Sequence, residues 1–304
     1  MVRFLGVCTG ALALLIPSWG TVRSATGLAE RPTHAPASWP LASRAPVPPF
    51  LPAHVRTQSR SHLRAPTGPR ELVLTFDDGP ELTTTPLVLQ ALDRYGYKAA
   101  FFVAGRRLIG KGPGARARRA LLAEIVRRGH LVANHTVRHK NLCREPALID
   151  EEIDLNQRIL RRVLGQAPKL FRPPFGASCP QLDRALAERQ LVSVGWTIDP
   201  QDWRVRNPDE VVSYVTRRLT DMDERGVLLL HDTRKPGVRA LPTILAWIHR
   251  ESLKGERGEA RPLEVVSPAR LLPSRIAEPL GLEPIAEELA NNLLLLPSIV
   301  TRPR

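Results

Sequence analysis

Aromatic side chains are scarce in this sequence, 5% of 304 residues, and acidic ones are outnumbered, with 30 Asp and Glu against 44 Lys and Arg. A basic chain with a pI near 10.8 raises the question of nucleic acid. Proteins that hold single strands stack bases on aromatic platforms, however, and few such rings are present. No nucleic-acid partner is expected. Cysteine is almost absent as well, with three residues. Cys8 lies in the first apolar run and has Val7 where a lipoprotein signal needs Gly or Ala. The two that remain, Cys143 and Cys179, cannot form the dense disulfide framework of a small secreted fold. Long hydrophobic runs are lacking too: Phe4 to Ile16 is the longest approach to one, and it is too short to span a bilayer comfortably.

What is there begins with that run. Arg3, the apolar stretch, Pro17 and the small residues Ser18 and Gly20 read as a secretory signal over residues 1–24, which places the protein outside the cytoplasm, secreted, periplasmic or in the cell envelope. If the segment is not cleaved it serves as a membrane anchor. Residues 25–69 are dense in Pro and carry no sustained hydrophobic period, so this stretch reads as an extended linker. Residues 70–272 form the expected catalytic domain, followed by a tail over 273–304 to which no function is assigned. The net charge of +14 divides as +7 in residues 1–70, +8 in 71–270 and −1 in the tail. Lys111, Arg116, Arg118, Arg119, Arg127 and Arg128 gather around one predicted helix and can face an anionic cell-surface polymer. The plainer reading is a solvated helix face.

Between Glu71 and Leu272 short apolar runs alternate with helical patterns. Seven strands are predicted: Leu72–Phe76, Ala99–Val103, Leu131–Asn134, Lys169–Arg172, Leu191–Thr197, Val227–Leu230 and Leu263–Val266. Helix starts are marked by Thr85-Pro86, Asn207-Pro208-Asp209-Glu210 and Ser267-Pro268. This alternation implies a parallel sheet, because parallel neighbours need a crossover. Asp77 and Asp78 follow the first strand, His135 the third, Arg172 ends the fourth, Asp199 and Asp202 follow the fifth, and His231 the sixth. In a closed parallel barrel those ends converge on one face, where barrel enzymes carry their chemistry.

The residue types suit a catalytic metal. Asp77-Asp78-Gly79 puts two carboxylates at a strand end, where adjacent side chains diverge, so one can bind a metal while the other faces water. His135 and His139 stand four apart, a spacing that on a helical turn presents both imidazoles to one ion. With Asp78 they make three ligands and leave a position for water. Zinc is the first choice for this one divalent metal, and cobalt, nickel and manganese suit the same mixed nitrogen and oxygen donors. Phe171-Arg172-Pro173-Pro174-Phe175-Gly176 joins a guanidinium to a stiff diproline.

These five segments, in order, resemble the five motifs of the polysaccharide deacetylases that share the NodB homology domain, carbohydrate esterase family 4. The resemblance covers roughly residues 70–272. It implies a distorted parallel (β/α)7 barrel and hydrolysis of acetyl groups, N-acetyl before O-acetyl, on a cell-surface or extracellular polysaccharide. By the same resemblance Asp77 is the general base, Asp78, His135 and His139 bind the metal, and Arg172 holds Asp77 ionised. The Phe175 N–H helps stabilise the oxyanion, Trp203 and Leu229 wall the acetyl pocket, and His231 is the general acid. Asp202 is expected to keep His231 cationic, with Asp199 nearer Arg172. A monomer is expected. A carbohydrate-binding pseudoenzyme is the competing reading, and it predicts a missing base, ligand or acid. Cys143 and Cys179 follow the second and third motifs, on loops from strands that should be neighbours, so the two can pair in an exported protein.

Overall fold

The computed structural model describes residues 68–272. The expected signal, nearly all of the Pro-rich linker and the tail lie outside the described residues. Within them, seven parallel strands alternate with six α-helices. The strands are β1 (Arg70–Asp77), β2 (Ala99–Val103), β3 (Leu131–Asn134), β4 (Leu170–Phe171), β5 (Val192–Ser193), β6 (Arg225–His231) and β7 (Leu263–Val265). The helices are α1 (Thr85–Asp93), α2 (Pro113–Arg127), α3 (Ile149–Leu164), α4 (Pro180–Glu188), α5 (Pro208–Thr220) and α6 (Lys235–Glu256).

The hydrogen-bonded order is β5-β4-β3-β2-β1-β6, and β7 pairs with β1. A strand has two edges, and β6 occupies one edge of β1 along Glu71–Asp77. The other edge is therefore shared: β2 takes Leu74–Asp77 and β7 takes Arg70–Leu72. This sharing distorts the barrel. Its open side is drawn together by the chain after β5, where Ile198 bridges Leu228 and the Leu229 N–H donates to the Ile198 carbonyl at 2.9 Å. The result is the distorted (β/α)7 barrel that the sequence predicts.

Burial on both faces explains why β1 reads as an unbroken apolar run. Leu72, Val73, Leu74 and Phe76 are all buried, and the one polar exception, Thr75, donates its hydroxyl to the Leu228 carbonyl at 2.7 Å. The helix starts follow the sequence signals. Pro208 opens α5 and the Asn207 side chain accepts from the Asp209 N–H at 3.0 Å, so an orphan donor is satisfied and Pro has no N–H to leave unpaired. The helix expected after Ser267-Pro268 is a single 3-10 turn, Pro268–Leu271.

Two strands are shorter than expected. The predicted Leu191–Thr197 is hydrogen-bonded as a strand only at Val192–Ser193, and Lys169–Arg172 only at Leu170–Phe171. Beyond β5 the Val194 and Gly195 carbonyls are taken by the Arg172 guanidinium, at 3.1 and 2.9 Å, in place of a neighbouring strand. The arginines around α2 are largely answered within the chain: Arg118 by Glu81, Arg119 by the Leu108 and Gly110 carbonyls, Arg127 and Arg128 by Glu124. Those contacts favour the solvated-face reading of that helix. Among the described residues no helix is long and apolar enough to cross a membrane.

Cys143 and Cys179 are joined, with Cα atoms 5.8 Å apart and a sequence separation of 36. Both half-cystines pack on a small core made by Leu142, Ile149, Ile153, Phe171, Leu182 and Leu186. Closing such a loop removes denatured-state entropy worth about 3–4 kcal/mol. Cys143→Ser is expected to lower Tm by roughly 10 °C. A differential scanning calorimetry trace unchanged by reduction or by the substitution would contradict this.

Candidate active site

Asp78 leaves the end of β1 with φ 76°, in the left-handed region that L-residues seldom occupy. This turn directs its carboxylate toward the loop after β3. Asp78 Oδ1 is buried with no hydrogen-bond partner, 3.9 Å from His135 Nε2 and 3.5 Å from His139 Nε2. One ligand atom from each of these three residues lies within 4.8 Å of the others. His135 Nδ1 is 2.7 Å from the Arg172 carbonyl oxygen. A carbonyl can only accept, so Nδ1 carries a proton and Nε2 is the ring atom turned toward Asp78. Burial pushes Asp78 up, but His135, His139 and His231 beside it outweigh this and hold its carboxyl below the usual range. Burial and His135 push His139 down to about 4, leaving a neutral imidazole at pH 7. A buried carboxylate oxygen without a partner, facing two imidazole nitrogens, fits a divalent metal.

The two imidazoles do not share a helical turn, as the sequence spacing suggests. Residues 135–139 form a loop in which Thr136 and His139 have φ of 63° and 60°. Three residues outside the motifs hold it. The Glu152 carboxylate, fully buried on α3, accepts from the Val137 and Arg138 N–H groups at 2.9 and 2.7 Å. Asn134 Oδ1 accepts from the Thr136 N–H at 2.8 Å and from Asn156 Nδ2 at 2.8 Å. Sequence reasoning passed over Glu152 and Asn156, yet a signal exists: both fall on the apolar stripe Ile149, Ile153, Leu160 of α3, where a polar residue must be paired.

Asp77 faces the same ring nitrogen of His135 as Asp78 does, with Oδ2 3.7 Å from Nε2. Its Oδ1 receives Arg172 Nη1 at 2.7 Å, and the same nitrogen donates to Thr75 Oγ1 at 2.9 Å. Arg172 is fully buried, and its guanidinium carbon stands 3.9 Å from the Phe102 ring centroid. Removing one partner of a buried ion pair strands the other, so Arg172→Met is expected to destabilise the fold by about 3–5 kcal/mol. Urea denaturation measures this, and an unchanged midpoint would contradict it.

Asp202, after β5, meets His231 at the end of β6. His231 Nδ1 is 2.6 Å from Asp202 Oδ1, and the His231 N–H donates to Oδ2 at 2.9 Å. Burial lowers the imidazole pKa, but the hydrogen bond and charge of Asp202, with Asp77 and Asp78 behind it, carry it up to about 9. Asp199 forms no ion pair with Arg172 among the described residues. Its Oδ1 accepts from the Gln201 N–H at 2.8 Å, and burial raises its pKa while its charge acts on the buried guanidinium. Leu229 is buried in β6, whereas Trp203 and Phe175 are exposed, at 51% and 67%. Phe175 has φ 62° and stands with its ring 4.7 Å from that of His139. Among the described residues, six other than Gly have positive φ, and five of them, Asp78, Thr136, His139, Phe175 and Gln201, belong to the motif segments. Backbone strain collects where side chains must be aimed.

No side chain fits at Gly79. A Cβ there would sit 2.1 Å from Asp232 Oδ2. Asp232 is fully buried, receives the Thr85 hydroxyl at 2.5 Å, and burial raises its pKa to about 7.

A model of the polysaccharide deacetylase family matches residues 64–194. A chitooligosaccharide deacetylase of Bradyrhizobium sp. is 36% identical over 173 residues, 56% of this chain and 74% of that one. The chain belongs to the polysaccharide deacetylase family. A peptidoglycan-N-acetylglucosamine deacetylase of Bacillus cereus is 34% identical over 173 residues, covering 55% of this deacetylase and 58% of the relative. The fold is similar to that of a family 4 acetyl xylan esterase from Clostridium thermocellum solved with a cobalt ion, at TM-score 0.54 and 28% identity, over 66% of this chain and 90% of that one. The (β/α)7 barrel and the deacetylase class thus rest on the fold and the relatives together.

Proposed function

We propose that residues 70–272 hydrolyse acetyl groups, N-acetyl in preference to O-acetyl, from a cell-surface or extracellular polysaccharide. The exported location rests on the signal-like residues 1–24 and on relatives named for chitooligosaccharide and peptidoglycan. The observation that carries the reading is the convergence at one end of the sheet of the Asp78, His135 and His139 donors, the Arg172-held Asp77 and the Asp202–His231 pair.

Asp78, His135 and His139 are the residues that would hold the ion, zinc by donor type, with cobalt, nickel or manganese as alternatives. Such a metal polarises the acetyl carbonyl and lowers the pKa of a water from about 15.7 toward ~7. Asp77, held by Arg172, takes the proton from the attacking water. The Phe175 N–H, which has no acceptor among the described residues, can donate to the developing oxyanion, a contact worth roughly 3–4 kcal/mol in such sites. His231, cationic through Asp202, gives its proton to the departing amine nitrogen, help commonly worth about 10²–10⁴ in rate. Leu229 and Trp203 border the acetyl group. A catalytically inactive glycan binder on this fold would be expected to lack the base, a ligand or the acid, and here each is present with its partner.

Acetate release from peptidoglycan, chitin oligomers, acetylated xylan and acetylated exopolysaccharide, with and without chelator, tests the reading. Chelator-sensitive release from an N-acetylated polymer is expected. Glycan binding without acetate from any of them would favour the inactive binder.

A further inference from the structure

Beside the metal-type cluster lies a cavity of about 420 Å³ lined by His139, Lys140, Asn141, Arg144, Glu145 and Phe175. We infer that this cavity takes the carboxylate of an acidic sugar neighbouring the acetyl group that reacts, so that the preferred substrate is an anionic glycan. The inference rests on the deacetylase reading and names its substrate class.

The size suits a single substituted sugar, since ligand sites run from about 300 to 1,000 Å³. Its position is set by His139, which it shares with the donor cluster. A sugar seated here is therefore next to the one presenting its acetyl group. The walls are of two kinds. Phe175 offers an exposed ring against His139, an apolar surface for the face of a pyranose. The charged part of the lining holds two cations, Lys140 and Arg144, against one carboxylate, Glu145. Lys140 reaches Glu145 at 3.3 Å and is otherwise exposed.

Arg144 is the exception among the nearby guanidiniums. Arg138 is bound by Glu151 and Glu152, Arg106 donates to the Arg138 carbonyl at 3.2 Å, and Arg107 pairs with Glu81. The exposed Arg144 side chain has no hydrogen-bond or ion-pair partner among the described residues. Glu145 is the one carboxylate in the lining, set against Lys140 and Arg144. A planar guanidinium with its donors uncommitted matches a carboxylate in a two-point fork, which a neutral sugar hydroxyl cannot reproduce.

The cavity is also held in shape. Lys140, Asn141, Arg144 and Glu145 come from the loop after β3, and Phe175 from the loop after β4; the Cys143–Cys179 bond ties those two loops together. A preformed site loses less freedom on binding.

Steady-state kinetics of the full chain with its metal decides the matter, using an oligosaccharide that contains N-acetylmuramic acid, whose lactyl ether carries a carboxylate, and an N-acetylglucosamine oligomer of equal length. The unmodified protein is expected to favour the carboxylated substrate through a lower KM. Arg144→Gln should reduce the ratio of kcat/KM for carboxylated over neutral substrate roughly tenfold, mostly in KM, the size of one charge-assisted contact. Lys140→Gln should move the ratio in the same direction. An unmodified protein with no preference for the carboxylated substrate, or a ratio that neither variant moves, overturns the inference and leaves the deacetylase reading standing. Acetate from neither substrate overturns both.

Discussion

Substituting His135 by Ala is expected to abolish bound divalent metal and acetate release together. The ring is almost wholly buried, its Nδ1–H is fixed on the Arg172 carbonyl, and its Nε2 faces Asp78 Oδ1 at 3.9 Å. Removing it leaves Asp78 and His139, two donors where a catalytic site uses three. Loss of an outer-shell partner alone typically costs about 10–100-fold in metal affinity, so loss of a ligand should exceed that. Metal content by mass spectrometry of the dialysed protein measures the first effect, and acetate release the second. Retention of stoichiometric metal by a folded variant would remove His135 from the ligand set.

The second large effect concerns pH. In the folded protein Asp202 helps carry His231 to a pKa of about 9, against an ordinary value of 6.5. The acid is therefore protonated at neutral pH, and the rate should fall as pH rises through 9. Asp202→Asn removes the negative charge while burial, which lowers the pKa, remains. The basic limb should then move to lower pH, and the rate at pH 8 should fall by roughly 10² or more as the acid is lost. The same shift links to stability. A raised folded pKa contributes stability that is full below 6.5 and disappears as pH rises through about 9, so the unmodified protein should lose part of its advantage over the variant across that window. A basic limb that stays in place in a folded Asp202→Asn protein would take the role from Asp202.

Much of the scaffold was legible because its signals are local. The strands β1, β2 and β6 are apolar runs largely buried on both faces, and α5 announces itself through Asn207 and Pro208. The polar residues at strand ends could be placed on one face because a parallel barrel brings those ends together. Shape inside the loops was not legible. The positive φ of Thr136 and His139 depends on Glu152 and Asn134, held from α3 across a gap of more than a dozen residues. Beyond β5 the carbonyls are taken by a guanidinium from the end of β4. Spacing alone suggested a helical turn for the two histidines, since it records separation along the chain and not the contacts that bend it. The carbonyl of Arg172 as the partner of His135 could not be read at all, because a backbone oxygen has no residue signature.

The central claim is that the Asp78, His135 and His139 cluster makes this chain a metal-dependent deacetylase. Its most direct test is to strip the protein of metal, add a divalent ion in steps, and follow both acetate and free amine formed from an N-acetylglucosamine oligomer. No release is expected from the stripped protein, then a rise that saturates at about one ion per chain, as a three-ligand site requires, with one amine exposed for each acetate. Acetate released equally well without metal, or none at full metal occupancy while the oligomer binds, would contradict it.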